Sequence, residues 1–226
     1  MKARSDAGPL RAVIFDWDGT LLDSYHADAA AYLAMFKKLG VAWGEAELAL
    51  HYAPDWYCVY RAARIPRSRW FEADRLWRNY YRRHRPKLLP GTKRVLGQLG
   101  ECYTLALVTS GDRSRVAAQL RRFGLTRTFA ACVFSEDARR KPHPAPLQLA
   151  LRRLELSPRN SIYVGDAPED IEMARRAGMP AVAVLGPFPT HQRLRASRPA
   201  ALLKSIAELP ALLRSARFKG FLSRRK

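Results

Sequence analysis

Short apolar runs recur along the chain at 12–15, 103–108, 130–134, 162–164 and 181–185, each bounded by turn-forming residues. Runs this short and without polar alternation predict strands buried on both faces. Between them, apolar positions repeat at helical spacing over 113–123, over 144–154 and over 170–177. Gly124 and Gly178 follow the first and last of these segments, where glycine closes a helix. Strands alternating with helices require crossover connections, so the expected fold class is α/β, a doubly wound parallel sheet covered on both sides.

The alternation is interrupted between Thr20 and Pro90, where no convincing strand occurs and helical segments carry many aromatic residues, among them Tyr32, Phe36, Trp43, Tyr60, Trp70, Trp77 and Tyr81. A segment of roughly 70 residues can form its own small bundle. The expected organisation is a core from 1–20 and 90–226 with an inserted helical unit from 21–89, whose return hinge is Leu89-Pro90-Gly91. Most of the aromatic residues are expected to pack the interior of that unit.

Composition adds one unusual feature, a net charge of +20 from 40 basic and 20 acidic residues. The excess is concentrated: 61–87 carries ten Lys/Arg against Glu72 and Asp74, and 193–226 carries ten against Glu208. A basic insert could steer anionic esters toward a cleft. The end segment 214–226, with Phe218 and Phe221 among its cations, is either frayed or a surface for nucleic acid or an anionic membrane. Cys58, Cys102 and Cys132 are odd in number and widely spaced, which fits reduced buried thiols. The start of the sequence is polar and no apolar run approaches the ~20 residues that cross a bilayer, so a cytoplasmic location is expected.

Four pieces stand at strand ends or helix starts: Phe15-Asp16-Trp17-Asp18-Gly19-Thr20, Thr109-Ser110-Gly111, Lys141-Pro142, and Gly165-Asp166 with Asp170 four residues on. Each alone has an ordinary explanation as a turn, a helix cap or a loop start. Their conjunction points to phosphoryl transfer, where catalysis is mostly positioning, metal and cation. Asp16 can attack phosphorus and carry the group as an aspartyl-phosphate. Asp18 can protonate the departing alkoxide and later take a proton from water. Gly19 permits a sharp turn, and the Thr20 hydroxyl can fix that turn or reach a phosphate oxygen, so both are expected among the residues that touch the phosphoryl group. Asp166 and Asp170 offer the hard oxygen ligands that magnesium takes.

With these motifs the chain resembles the haloacid dehalogenase superfamily, in its phosphatase branch, from about Val13 to about Leu213. The resemblance implies a Rossmann-like core with a helical cap and a Mg2+ site made by Asp16, the Asp18 backbone carbonyl, Asp166 and Asp170. It implies that Thr109 or Ser110, with Gly111, binds the phosphoryl oxygens, Ser110 being favoured, and that Lys141 neutralises charge between nucleophile and phosphate. Dehalogenating members lack an aspartate at the position of Asp18. Phosphonate-cleaving members carry a Schiff-base lysine in the cap, whereas Lys37 and Lys38 here read as exposed helix residues. Mutases and many sugar phosphatases carry a histidine where this chain has Asp28, with His26 two positions early.

The best match is the phosphoglycolate phosphatase-like group, through Leu21-Leu22-Asp23-Ser24, Lys141-Pro142-His143-Pro144 and Tyr163-Val164-Gly165-Asp166. That group usually has Thr-Asn where this chain has Thr109-Ser110. The implied reaction is hydrolysis of a small phosphorylated metabolite, phosphoglycolate-like, otherwise anionic or nucleotide, with Tyr25, His26, Tyr52, Trp56 and Arg61 as cap residues that would select the leaving group. A phosphomutase of the β-phosphoglucomutase type is the alternative with the same intermediate. A basic nucleic-acid- or partner-binding protein with a vestigial site is the alternative of another class. A monomer or a dimer is compatible with either.

Overall fold

The computed structural model describes residues 10–224. The chain runs β1 (Ala12–Phe15), β2 (Leu22–Asp23), α1 (Tyr25–Leu39), α2 (Glu45–His51), α3 (Trp56–Ala62), α4 (Trp70–Tyr81), β3 (Lys87–Leu88), α5 (Thr92–Gly100) and β4 (Thr104–Val108). It continues through α6 (Arg113–Phe123), β5 (Ala131–Val133), α7 (Ala145–Leu154), β6 (Ser161–Gly165), α8 (Pro168–Arg176), β7 (Ala181–Val184), α9 (His191–Ala196), β8 (Ala201–Leu203), α10 (Leu209–Arg214) and α11 (Ala216–Ser223).

Six strands form one sheet in the order β5-β4-β1-β6-β7-β8, and every pairing in it is parallel. Successive residues of each strand point to opposite faces. Val13, Phe15, Leu107 and Val164 therefore join one buried cluster, with Val95, Leu120, Leu209 and Leu213 from the helices on that side. Ile14, Val108, Tyr163 and Ala183 join the other, with Leu147, Leu151, Met173 and Leu194. Both faces are covered, which explains why the strands read as continuous apolar runs. The chain passes to β4 on one side of β1 and to β6 on the other, so the crevice at the carboxyl end of β1 is a switch point where ligands bind in open sheets.

Helices α1 to α4 make the inserted unit, which has its own buried cluster around Tyr32, Met35, Phe36, Leu48, Val59 and Tyr60. Its aromatic residues mostly pack inward as expected; Phe71 is the exception, standing in solvent. The absence of strands expected between 20 and 90 needs correcting. Leu22 pairs antiparallel with Leu88 and Asp23 with Lys87, a two-residue ladder too short to show a period of two. Leu89 N–H donates to the Leu21 carbonyl at 2.9 Å beside it, so the two crossings between core and insert are tied together.

Four further expectations change. The sheet has a sixth strand, β8, and α8 begins at Pro168 rather than at 170, because proline suits the first helical position. Cys102 is exposed in the turn after α5, while Cys58 and Cys132 are half-buried, and all three are free thiols. The end segment is helical over Ala216–Ser223, and Phe218 is buried against the first cluster, so its ring is taken up by the core. The last two residues of that basic segment, like the polar start over 1–9, lie outside the described residues. Among the described residues no helix is long and apolar enough to cross a membrane.

Trp17 joins the site loop to the core. It is fully buried, its indole N–H donates to Gln119 Oε1 at 2.8 Å, and its ring meets Phe123 of α6. Trp17→Ala is expected to cost about 3–5 kcal/mol of unfolding free energy, as deletion of a buried large ring does, read from urea unfolding. A loss below about 1 kcal/mol would contradict this packing.

Candidate active site

Asp16 follows the last residue of β1 and still donates its backbone N–H to the Val164 carbonyl at 2.9 Å, which holds its side chain at the carboxyl edge of the sheet. Asp166 follows β6, and Asp170 lies in the first turn of α8. All three carboxylates are buried, with an oxygen of each within 4.8 Å of the others. Lys141 brings one ammonium into this cluster. Its Nζ donates to Asp16 Oδ1 at 2.5 Å and to the Tyr163 hydroxyl at 2.8 Å, and lies 2.7 Å from Asp170 Oδ1. Asp170 Oδ2 accepts from the Ala167 N–H at 3.1 Å. The Asp166 carboxylate accepts from the Thr20 hydroxyl at 2.9 Å.

The electrostatics follow from three acids sharing one cation away from water. Burial pushes the Asp16 carboxyl up to about 7, against the opposing pull of Lys141. Burial also holds Asp166 well above the usual carboxylate range, with the charges of Asp16 and Asp170 adding to the effect. For Lys141 burial works against the charge, but Asp16 and Asp170 outweigh it and hold the ammonium above the ordinary lysine range. A cluster with more negative than positive charge and oxygen donors only is the chemistry that a hard divalent cation satisfies. The residues therefore fit a bound cation of the magnesium type.

Asp18 is arranged differently. Its two oxygens accept from the two terminal nitrogens of Arg115, at 2.9 and 2.6 Å. The guanidinium lies over the Tyr81 ring, 5.0 Å from its centroid, so the pair links the site loop, α6 and the insert. Gly111 makes this possible, because a Cβ there would overlap the guanidinium. Gly19 has φ +85° and lies so close to Asp166 that a Cβ would overlap that carboxylate.

Residues 13–184 match the family model of the haloacid dehalogenase-like hydrolases. The chain belongs to this family. A phosphoglycolate phosphatase of Yersinia pestis is 31% identical over 224 residues, covering 90% of this chain and 93% of its own length. A solved haloacid dehalogenase-like hydrolase of Streptococcus pneumoniae superposes with a TM-score of 0.78 at 25% identity, over 91% of this chain and 99% of that one. A Thermotoga maritima chain described as a β-phosphoglucomutase shares the fold, with a TM-score of 0.70 at 24% identity over 92% of this chain and all of the other.

In this member of the family the site opens into a cavity between core and insert that is partly open to solvent. Asp16, Asp18, Thr109, Ser110, Gly111, Lys141, Asp166 and Asp170 all line it. Gly19 and Thr20, expected to touch the phosphoryl group, do not line it, because Gly19 forms the turn and the Thr20 hydroxyl is spent on Asp166. Thr109 Oγ1 accepts from the Gly111 N–H at 3.0 Å, which shapes the loop and leaves Ser110 facing the cavity. Of the expected cap residues, Tyr52 and Trp56 line the cavity, while Tyr25, His26 and Arg61 do not. Arg78 alone among the cations of 61–87 reaches it.

Sequence reasoning missed Tyr163, which holds Lys141, and Arg115; neither residue type in a strand or on an arginine-rich helix signals such a contact. It also missed Asp28 as a cavity residue. Burial pushes the Asp28 carboxyl up to about 7, with the nearby Asp18 charge adding to the effect. A carboxyl raised on folding favours the fold most when protonated, so its contribution is lost as pH rises from about 4 to about 7. Wild-type stability relative to Asp28→Asn is therefore expected to fall across that window by a few kcal/mol, on the order set by the shift. Urea unfolding in chelator at several pH values measures it; a pH-independent difference would contradict the burial of a titrating Asp28.

Proposed function

We propose that the protein is a magnesium-dependent phosphatase that hydrolyses a small phosphomonoester through an aspartyl-phosphate on Asp16. The observation that carries this reading is the buried cluster of Asp16, Asp166 and Asp170 around one lysine, at a sheet edge that opens into the cavity beneath the insert. Membership of the family and the likeness to phosphoglycolate phosphatases support it.

In this reading Asp16, the Asp18 backbone carbonyl and Asp166 hold the cation, and Asp170 supports the site by fixing Lys141. Magnesium, when bound, would offset the charge of the phosphoryl oxygens and of the crowded carboxylates. The free Asp16 oxygen attacks phosphorus as the bond to the leaving oxygen breaks. Asp18 gives that oxygen its proton, then takes one from the water that attacks phosphorus of the intermediate, which releases phosphate and restores Asp16. Because both Asp18 oxygens accept from Arg115, the pair opens for the acid role, and the entering ester is what displaces the guanidinium. Lys141 and the Thr109-Ser110-Gly111 loop bind the phosphoryl oxygens. The insert, 21–89, acts as the cap that excludes water and strengthens each of these contacts.

A mutase on the same fold would return the phosphoryl group to its substrate, whereas this reading requires its release. Incubation with a panel of phosphorylated metabolites, 2-phosphoglycolate among them, is expected to release inorganic phosphate with magnesium and none with chelator. Asp16→Asn, which keeps shape and loses the nucleophile, is expected to lower kcat at least ~1,000-fold with its fold intact. Release by that variant at the wild-type rate would remove Asp16 from its role.

A further inference from the structure

A groove continues the cavity along the seam between insert and core. Trp77, Arg78, Tyr81, Asp112 and Arg115 line both spaces, so the two run together between α4 and α6. Beyond Arg78 the walls of the groove carry Arg82 and Arg85, from the segment after α4, and Arg122 of α6. Like charges gathered on a concave wall raise the local potential and draw in an anion.

The protein does not neutralise these cations itself. Among the described residues the ion pairs involve none of Arg78, Arg82, Arg85 and Arg122. The carboxylate on the groove wall, Asp112, caps α6, accepting from the Ser114 hydroxyl at 2.8 Å and from the Arg115 backbone N–H at 3.0 Å. Asp74, which also feels the charge of Arg78, accepts from the Tyr60 hydroxyl at 2.9 Å. Two of the arginines are oriented by backbone: Arg85 donates to the Arg82 carbonyl at 3.4 Å, and Arg122 donates to the Pro86 carbonyl. A carbonyl takes one of the five N–H groups of a guanidinium and none of its charge. One guanidinium fork satisfies a carboxylate, whereas a phosphate monoester, with up to two charges and three free oxygens, accepts from several.

We propose that this groove is a second anion subsite, which takes a phosphate group carried on the leaving part of the substrate, with Arg78 at the junction as a specificity-determining residue. The assignment rests on the phosphatase reading and narrows it to esters that bear two phosphate groups, one cleaved at Asp16 and one held between α4 and α6. In that reading the entering ester also releases Arg115 from Asp18, and this guanidinium lines both spaces. The second phosphate takes no part in bond breaking, so its contacts act on KM more than on kcat.

The test compares kcat/KM, at fixed free magnesium, for bisphosphates of straight-chain terminal diols of increasing length, each against the monophosphate of the same diol, alongside p-nitrophenyl phosphate. At the length that fits, the wild type is expected to prefer the bisphosphate by about tenfold or more, above the statistical gain of two equivalent phosphoryl groups and mainly through a lower KM. Arg78→Gln, and separately Arg85→Gln, are expected to remove most of that preference. Arg75→Gln takes the same charge from α4 at an exposed position lining neither space, and is expected to keep it. An equal loss in Arg75→Gln would mark a long-range field and overturn the subsite, as would the absence of any bisphosphate preference across the series. Sulfate that changes kcat for p-nitrophenyl phosphate in the wild type but not in Arg78→Gln, with no bisphosphate preferred, would place a free anion in the groove and overturn its assignment to substrate. Silence on every ester, p-nitrophenyl phosphate included, overturns the phosphatase reading and this one with it.

Discussion

One ammonium among three buried carboxylates is the interaction on which the site depends. Lys141 touches Asp16 and Asp170 directly and is steadied by the Tyr163 hydroxyl, which comes from the centre of the sheet. Removing one partner from a buried charge group costs about 3–5 kcal/mol, because the remaining charge stays desolvated. The local backbone conforms to this cluster. Gly19 takes a left-handed conformation beside Asp166, and the Thr20 hydroxyl is turned onto the same carboxylate. The remaining negative charge is unbalanced by protein, and that imbalance is the physical case for a divalent cation.

The insert is bound to this centre by few but specific contacts. Arg115 joins Asp18 to Tyr81 of α4. Arg140, beside Lys141 in sequence, pairs with Asp55 at 3.2 Å and stacks on Trp56 and Tyr57 of α3. Phe188, from the loop after β7, meets Tyr25 and Tyr52. Each links a loop at the carboxyl end of the sheet to a helix of the insert, so the position of the insert over the cavity and the arrangement of the buried carboxylates are tied together. Most of the excess positive charge of 61–87 lies outside the cavity, where it acts through the long-range field and not through contact.

Much of this was legible in the residues themselves. The run over Ala12–Phe15 and the helix over Arg113–Phe123 carry their full signal locally, in apolar pattern, cap and glycine stop. The four motifs mark the strand ends that meet at the site because the connections of a parallel sheet leave few other arrangements. What escaped depends on neighbours distant in sequence. The edge strand β8 is only half-buried and lies beside Pro199, so its pattern is weak. Tyr163 reads as one more apolar strand residue, Arg115 as one of many exposed arginines, and Asp28 only as a position lacking histidine. Their roles arise from burial and pairing across more than one element, which a local pattern does not encode.

The account stands on phosphoryl transfer to Asp16. The most direct measurement is acid quench during turnover of a reactive phosphate ester with magnesium, followed by peptic digestion kept at acid pH and mass spectrometry of the peptides that contain Asp16 and Asp18. The account predicts one base-labile phosphoryl group on Asp16, absent with chelator. Turnover with the Asp16 peptides unmodified, or with the label on another residue, would contradict it.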